Sequence, residues 1–188
     1  PAWRSCWESR PAGGRPLQIV HGSPAARASV EGMQYYRDRG LGGIVCNVAF
    51  DQYLQSEANW KTLEQGIAAC RQLGLVVWLY DEEGYPSGAA GGLVLAQDSQ
   101  FEATELAYDA ARDEPFVVRR AYEYTHAANN YHAARRYANL IDDRADRCFV
   151  EVTHEAYRRR LESYFGETIQ AMFTDEPSLI AVDLGQIP

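Results

Sequence analysis

Four apolar runs in this chain each end on groups able to hold or move a proton. LQIVHG (residues 17–22) ends near His21, GIVCNV (43–48) carries Asn47, LVVWLY (75–80) leads into Asp81 and Glu82, and TIQAMFT (168–174) leads into Asp175 and Glu176. One imidazole, one amide and four carboxylates delivered in this way suit the gripping of hydroxyls and general acid–base chemistry. A single acidic residue after a strand can be there only to solvate the turn, but polar groups at all four run ends weigh against that reading of the set. Successive strand side chains point to opposite faces, so within each acidic pair one carboxylate works and its neighbour braces. At the fourth run Glu176 is expected to be the proton donor because of its longer reach, with Asp175 held by backbone or by a basic group. A general acid at neutral pH needs a raised pKa, which burial beside aromatic rings or next to a second carboxylate supplies.

The third run continues into YDEEGYPSGAAGG, the most distinctive stretch of the chain. Its glycines, Gly84, Gly88, Gly91 and Gly92, match neither nucleotide fingerprint, and no Gly-Lys-Ser/Thr occurs, which disfavours a phosphate cradle. The expectation is an ordered loop in which glycine lets the backbone approach a ligand closely, with Tyr80 and Tyr85 offering flat faces to a sugar ring. Trp78, in mid-run, is expected to be core. His154-Glu155 begins like a zinc-protease helix, but Arg158 stands where the second His is required, so that reading fails. His126 and His132 flank Asn129 and Asn130 in a polar tract, where loop histidines more often do nothing.

The elements that must position these groups alternate. A helix carrying Val30, Met33 and Tyr36 and stopping at Gly40 follows the first run, with Ser23-Pro24 as its expected start. After the second run, Ser56 caps a helix whose apolar face is Trp60, Leu63, Ile67 and Cys70 and which Gly74 ends. The third run is apolar on both faces, as a parallel strand buried on both sides would be. Residues 101–139 break the rhythm with the alternation FVVRRAYEYTH and the tract AANNYHAARRY, read as an inserted β-hairpin with a loop over the mouth of a barrel. The pattern returns at Asp142, an N-cap for a helix with Phe149, Val152 and Ala156 as its buried face, ending near Gly166.

The predicted fold class is therefore α/β: a partial (β/α)8 barrel of about four β/α units with a hairpin insertion after the third strand. A Rossmann fold is disfavoured because no G-x-G-x-x-G follows the first strand and no acidic residue closes the second. The whole of residues 1–188 is expected to form the N-terminal half of such a barrel, since a full one takes about 250 residues. Either the chain is a fragment or two copies supply the missing strands to each other as a homodimer.

Composition narrows the partners. Of 188 residues, 46% are apolar and 12% aromatic, which is globular. A net charge of -8 disfavours nucleic acid, which needs clustered Lys and Arg. No stretch approaches the ~20 apolar residues that a membrane span requires, and PAWRSCWESR has no apolar signal core. A soluble protein is expected, cytoplasmic in preference to exported. Cys6, Cys46, Cys70 and Cys148 are widely spaced without a CxxC, so they read as reduced thiols.

GGIVCNVAFDQYLQSEANW, LGLVVWLYDEEGYPSGAAGGLVL and FGETIQAMFTDEP together resemble bacterial glycosyl-hydrolase-like proteins related to the α-L-rhamnosidase-type TIM-barrel enzymes. The similarity runs along nearly the whole chain and is most specific in the loop YDE-x-G-[YFW]-PSG-x-AGG and the strand end T-D-E-P. It implies a barrel acting on glycosidic bonds, often followed by β-sandwich domains, with Glu176 as acid or acid/base and Asp81 and Glu82 in the sugar subsite. His21, Asn47, Tyr80, Tyr85 and Asp175 complete the expected substrate-binding set. The partner carboxylate would come from a later strand outside this chain, so the 188 residues alone are expected to be inactive. No cofactor is expected, with calcium left open. Two other classes stay in play: a non-catalytic carbohydrate-binding or scaffold protein, and a metal-dependent isomerase or lyase using His21 or the acidic pairs.

Overall fold

The computed structural model describes the chain except for residues 1–3, 6–8, 22–26, 47–51, 84–85, 122–136, 178 and 180–188. Contacts divide it into two units, residues 1–81 with 157–173, and residues 82–156 with 174–188.

The first unit is built on a four-stranded parallel sheet in the order β1 (Leu17–Val20), β2 (Gly43–Cys46), β3 (Val76–Tyr80), β6 (Ile169–Phe173). All three strand pairs run parallel, and a register shift between Val77 and Trp78 interrupts the last. Parallel neighbours need crossovers, and the helices α1 (Val30–Asp38) and α2 (Glu57–Leu73) supply the first two. The start of α1 differs from expectation: Ser29 is its N-cap, its hydroxyl accepting from the Gly32 N–H, while Ser23 and Pro24 lie outside the described residues. In α2 the local signals are obeyed. Ser56 accepts from the Asn59 N–H, and Gly74 ends the helix in the left-handed conformation.

The face of α2 read from spacing is the buried one, with Trp60, Leu63, Ile67 and Cys70 each no more than 4% exposed. Burying side chains of this size stabilises by about 1.5–3 kcal/mol each before the cost of ordering the chain. On the sheet, Ile44, Cys46, Val77 and Leu79 are almost completely buried. Trp78 is not the core residue that its mid-strand position suggested. It is 37% exposed, and Ile19, which shares its face through the β1–β2–β3 register, is 41% exposed. Alternation puts Trp78 on the same side as Val76 and Tyr80, which are 6% and 3% exposed, so both faces of β3 are buried as expected and the opening is local to Trp78.

The second unit holds the short helix α3 (Leu93–Gln97), the strands β4 (Thr104–Tyr108) and β5 (Phe116–Arg120), and α4 (Asp143–Val152). β4 and β5 pair antiparallel from Thr104↔Arg120 to Tyr108↔Phe116, the hairpin expected of the insertion, with the FVVRR that opens the alternation as its second strand. The tract AANNYHAARRY, with His126, Asn129, Asn130 and His132, lies outside the described residues. Asp142 caps α4 as expected, its carboxylate accepting from the Arg144 N–H. The single helix expected from there to Gly166 is instead broken at Thr153, whose hydroxyl donates to the Phe149 carbonyl, and α5 (His154–Leu161) starts afresh. The break also moves the buried face: Ala145, Tyr157 and Leu161 are buried, whereas Phe149, Val152 and Ala156 are only half-buried.

Candidate functional site

The carboxyl ends of β3 and β6 lie side by side, with Tyr80 opposite Phe173, and from these neighbouring ends the chain continues into Asp81-Glu82 and into Asp175-Glu176. Tyr80 and Phe173 stack at 5.6 Å between ring centroids and 22° between planes. Tyr80 is 3% exposed, and its carbonyl accepts from the Tyr157 hydroxyl at 3.0 Å. It is a packed core residue and not the open aromatic face expected for a sugar. The Asp81 N–H donates to the Phe173 carbonyl, and the Asp81 side chain is fully buried. His21, directly after β1, is exposed. Asn47 and Tyr85 lie outside the described residues.

Glu82 departs furthest from expectation. Its side chain is fully buried and accepts five backbone N–H groups. Oε1 takes those of Glu83 and Gly91 at 2.9 and 2.5 Å, and Oε2 those of Gly88, Ala89 and Ala90 at 3.1, 2.9 and 2.7 Å. Both oxygens are thus committed to the loop, which leaves little of the carboxylate for a sugar hydroxyl. Burial pushes its pKa above the ordinary glutamate range, and the amide donors of Gly91, Glu83, Ala90 and Gly88 pull the other way.

The glycine-rich loop is therefore a nest of amides around an anion, and the anion is the chain's own. Positive φ at Gly88, Ala90, Gly91 and Gly92 turns the amides inward. What approaches the glycines is protein: a Cβ at Gly88 would lie 2.7 Å from the Tyr137 hydroxyl, and one at Gly91 2.5 Å from a Glu83 carboxylate oxygen.

Ser87, in the middle of that loop, ties it to the other acidic pair. The Ser87 N–H donates to the Asp175 carbonyl at 2.8 Å, and the Ser87 hydroxyl accepts from the Asp175 N–H at 2.9 Å. The Tyr137 hydroxyl donates to the Ser87 carbonyl. Asp175 is half-buried. Glu176, one residue on, is exposed and has φ of +41°, a conformation an L-residue adopts only at a cost.

Beside Ser87 and Gly88 is a cavity of about 410 Å³. Phe149 and Val150 of α4 wall it together with Leu140, Pro177 and Leu179, and its polar lining comes from Ser87, Thr174 and Asp146. Partial desolvation, then the neighbouring Asp143 and Asp142, raise the Asp146 carboxyl above the ordinary aspartate range. Neither Ser87 nor Asp146 was singled out from sequence. The signal for Asp146 was present, since residues 146, 149 and 150 fall on one helix face at i, i+3 and i+4. For Ser87 there was only its place in the PSG of the loop motif.

Among the described residues no cluster of three or more His, Cys, Asp or Glu is arranged to hold a metal ion, and no helix is long and apolar enough to cross a membrane. Among the described residues Cys46, Cys70 and Cys148 form no disulfide, while Cys6 lies outside them.

Fold and site define an α/β protein with a parallel sheet, a carboxylate-centred loop after β3 and a strained glutamate after β6. Comparisons with protein-family models, with curated proteins and with solved structures find no match to this chain.

Proposed function

We propose that this chain is part of a carbohydrate-active (β/α)8 barrel of glycoside-hydrolase type, in which Glu176 donates a proton to the leaving oxygen of a glycosidic bond. The observation that carries the reading is the pair of hydrogen bonds between Ser87 and Asp175, which holds the Glu82-centred loop against the segment presenting Glu176. The in-order parallel strands with helical crossovers support the barrel, and strain at an exposed acidic residue supports a functional role, because such strain persists where the surroundings over-determine it. Asp175 and Glu82 are positioning residues in this reading. The second carboxylate, roughly 5 Å from the first for retention or about 6.5–9.5 Å for inversion, comes from outside these residues.

The test is glycan and aryl-glycoside cleavage by the protein expressed from its complete reading frame. Turnover that disappears in Glu176→Gln with folding intact supports the proposal. Turnover that survives the substitution, or is absent across α- and β-linked substrates, removes it. One observation favours a non-catalytic carbohydrate-binding reading: Glu176 is exposed, whereas a general acid gains from burial. That reading expects sugar binding, measured by calorimetry, that persists in Glu176→Gln with no cleavage in either protein.

A further inference from the structure

We infer that the cavity beside Ser87 and Gly88 is a binding site for a mostly apolar, non-anionic molecule that carries a hydroxyl group, such as an aryl alcohol, which on the hydrolase reading is the leaving group of a glycoside.

The size is that of a small-molecule site, which typically encloses roughly 300–1,000 Å³, against about 410 Å³ here. The walls set the class of ligand. Leu140, Phe149, Val150 and Pro177 offer no hydrogen bond, so the body of the ligand is apolar. Ser87, Thr174 and Asp146 supply the polar part of the lining, and side-chain oxygens of these types accept from a hydroxyl. The charge is set by Asp146. An anion brought beside its carboxylate meets a like charge in a partly desolvated place, and Asp143 and Asp142 on the same turn add to the repulsion. Asp142 is engaged by the Arg144 guanidinium at 2.6 Å, while the Arg147–Asp143 pair, at 3.8 Å, is long and exposed, so the arginines nearby do not reverse that sign.

The position gives the cavity its meaning. Thr174 and Pro177 bracket Asp175 and Glu176 in the chain, so a ligand held here lies against the segment that carries the proposed proton donor. The assignment as a leaving-group subsite rests on the hydrolase reading; the binding itself does not.

The experiment separates the two. 2-Naphthol, neutral at pH 7, is titrated into the wild-type chain by fluorescence, with 2-naphthoate as its anionic counterpart. Saturable binding of the naphthol, at least about tenfold tighter than the naphthoate, is expected. Val150→Trp fills the cavity from a position already 45% exposed, so it should leave folding intact by circular dichroism and weaken naphthol binding by at least about tenfold. Amide shifts in a 15N-labelled sample should centre on residues 87–88, 146–150, 174–176 and 179. Absence of saturable binding, equal affinity for the naphthoate, unchanged binding in a folded Val150→Trp, or shifts centred elsewhere each overturns the site. Naphthol bound in the cavity by a protein that cleaves no aryl glycoside supports the site and counts against the hydrolase reading alone.

Discussion

Ser87 and Asp175 exchange two hydrogen bonds across 88 positions of sequence, each residue giving its N–H and receiving one at its oxygen. The pairing resembles a single rung of sheet, except that one acceptor is a side-chain hydroxyl. That difference makes the rung open to a clean test. Ser87→Ala removes the acceptor and leaves the half-buried Asp175 N–H without its partner, a loss of about 1–2 kcal/mol. In a chain of this length the melting temperature should fall by roughly 2–8 °C in calorimetry. If the rung positions Glu176, turnover by the complete protein falls through kcat more than through KM. An unchanged melting temperature would show the rung to be dispensable.

The Glu82 nest gives the sharpest stability prediction. Glu82→Gln keeps the shape and turns one oxygen into an amide nitrogen that cannot accept. Since Oε1 serves two N–H groups and Oε2 three, at least two donors lose their acceptor inside the protein whichever way the amide turns. At about 1–3 kcal/mol for each buried orphan, the cost is roughly 2 kcal/mol or more. Urea denaturation reads it directly, and a loss under about 1 kcal/mol would mean that the nest does not hold the loop.

What the sequence made legible, and what it hid, follows the range of the interactions. The alternating strands and helices of the sheet were readable because each rests on local rules: Ser56 and Asp142 cap the helices that follow them, and Gly74 ends α2. The parallel order followed from the crossovers. The role of Glu82 was hidden because its partners are backbone amides six to nine positions away, in a loop whose positive φ values no side-chain pattern announces. Thr153 was hidden as a helix break because a threonine inside a helical pattern is common, and what marks the interruption is its backbone, at φ -106° and ψ -76°. Trp78 misled for a related reason, since an apolar run does not say which single position along a buried face is left open.

Glu176 tests whether strain marks function. At an ordinary helical or strand position Ala is more stable than Gly, by about 0.5–1 kcal/mol. At φ of +41° the order should reverse, with Glu176→Gly more stable than Glu176→Ala by about 1 kcal/mol. Thermal unfolding of the two variants side by side measures the difference. Both should lack turnover in the complete protein, so that the glycine variant gains stability while losing activity. Ala more stable than Gly would mean that the left-handed backbone at this position is not kept in solution.

The N-cap of α4 carries a pH signature. The Asp142 carboxylate accepts from the Arg144 N–H at 2.9 Å and pairs with its guanidinium, and these contacts, the side-chain bond foremost, hold its pKa down to about 2 from the ordinary 3.8. A pKa lowered in the folded state means that the unfolded chain binds more protons between those two values. The stability that Asp142 contributes is thus fully present above the ordinary aspartate range and is lost as pH falls through it toward about 2. Asp142→Ala should melt below the wild type at neutral pH, and the gap should close steadily as the medium is acidified from about pH 5. Melting curves of both proteins across that window decide the matter: a gap that stays constant down to the lowest pH would show that the cap acts through its shape and not through its charge.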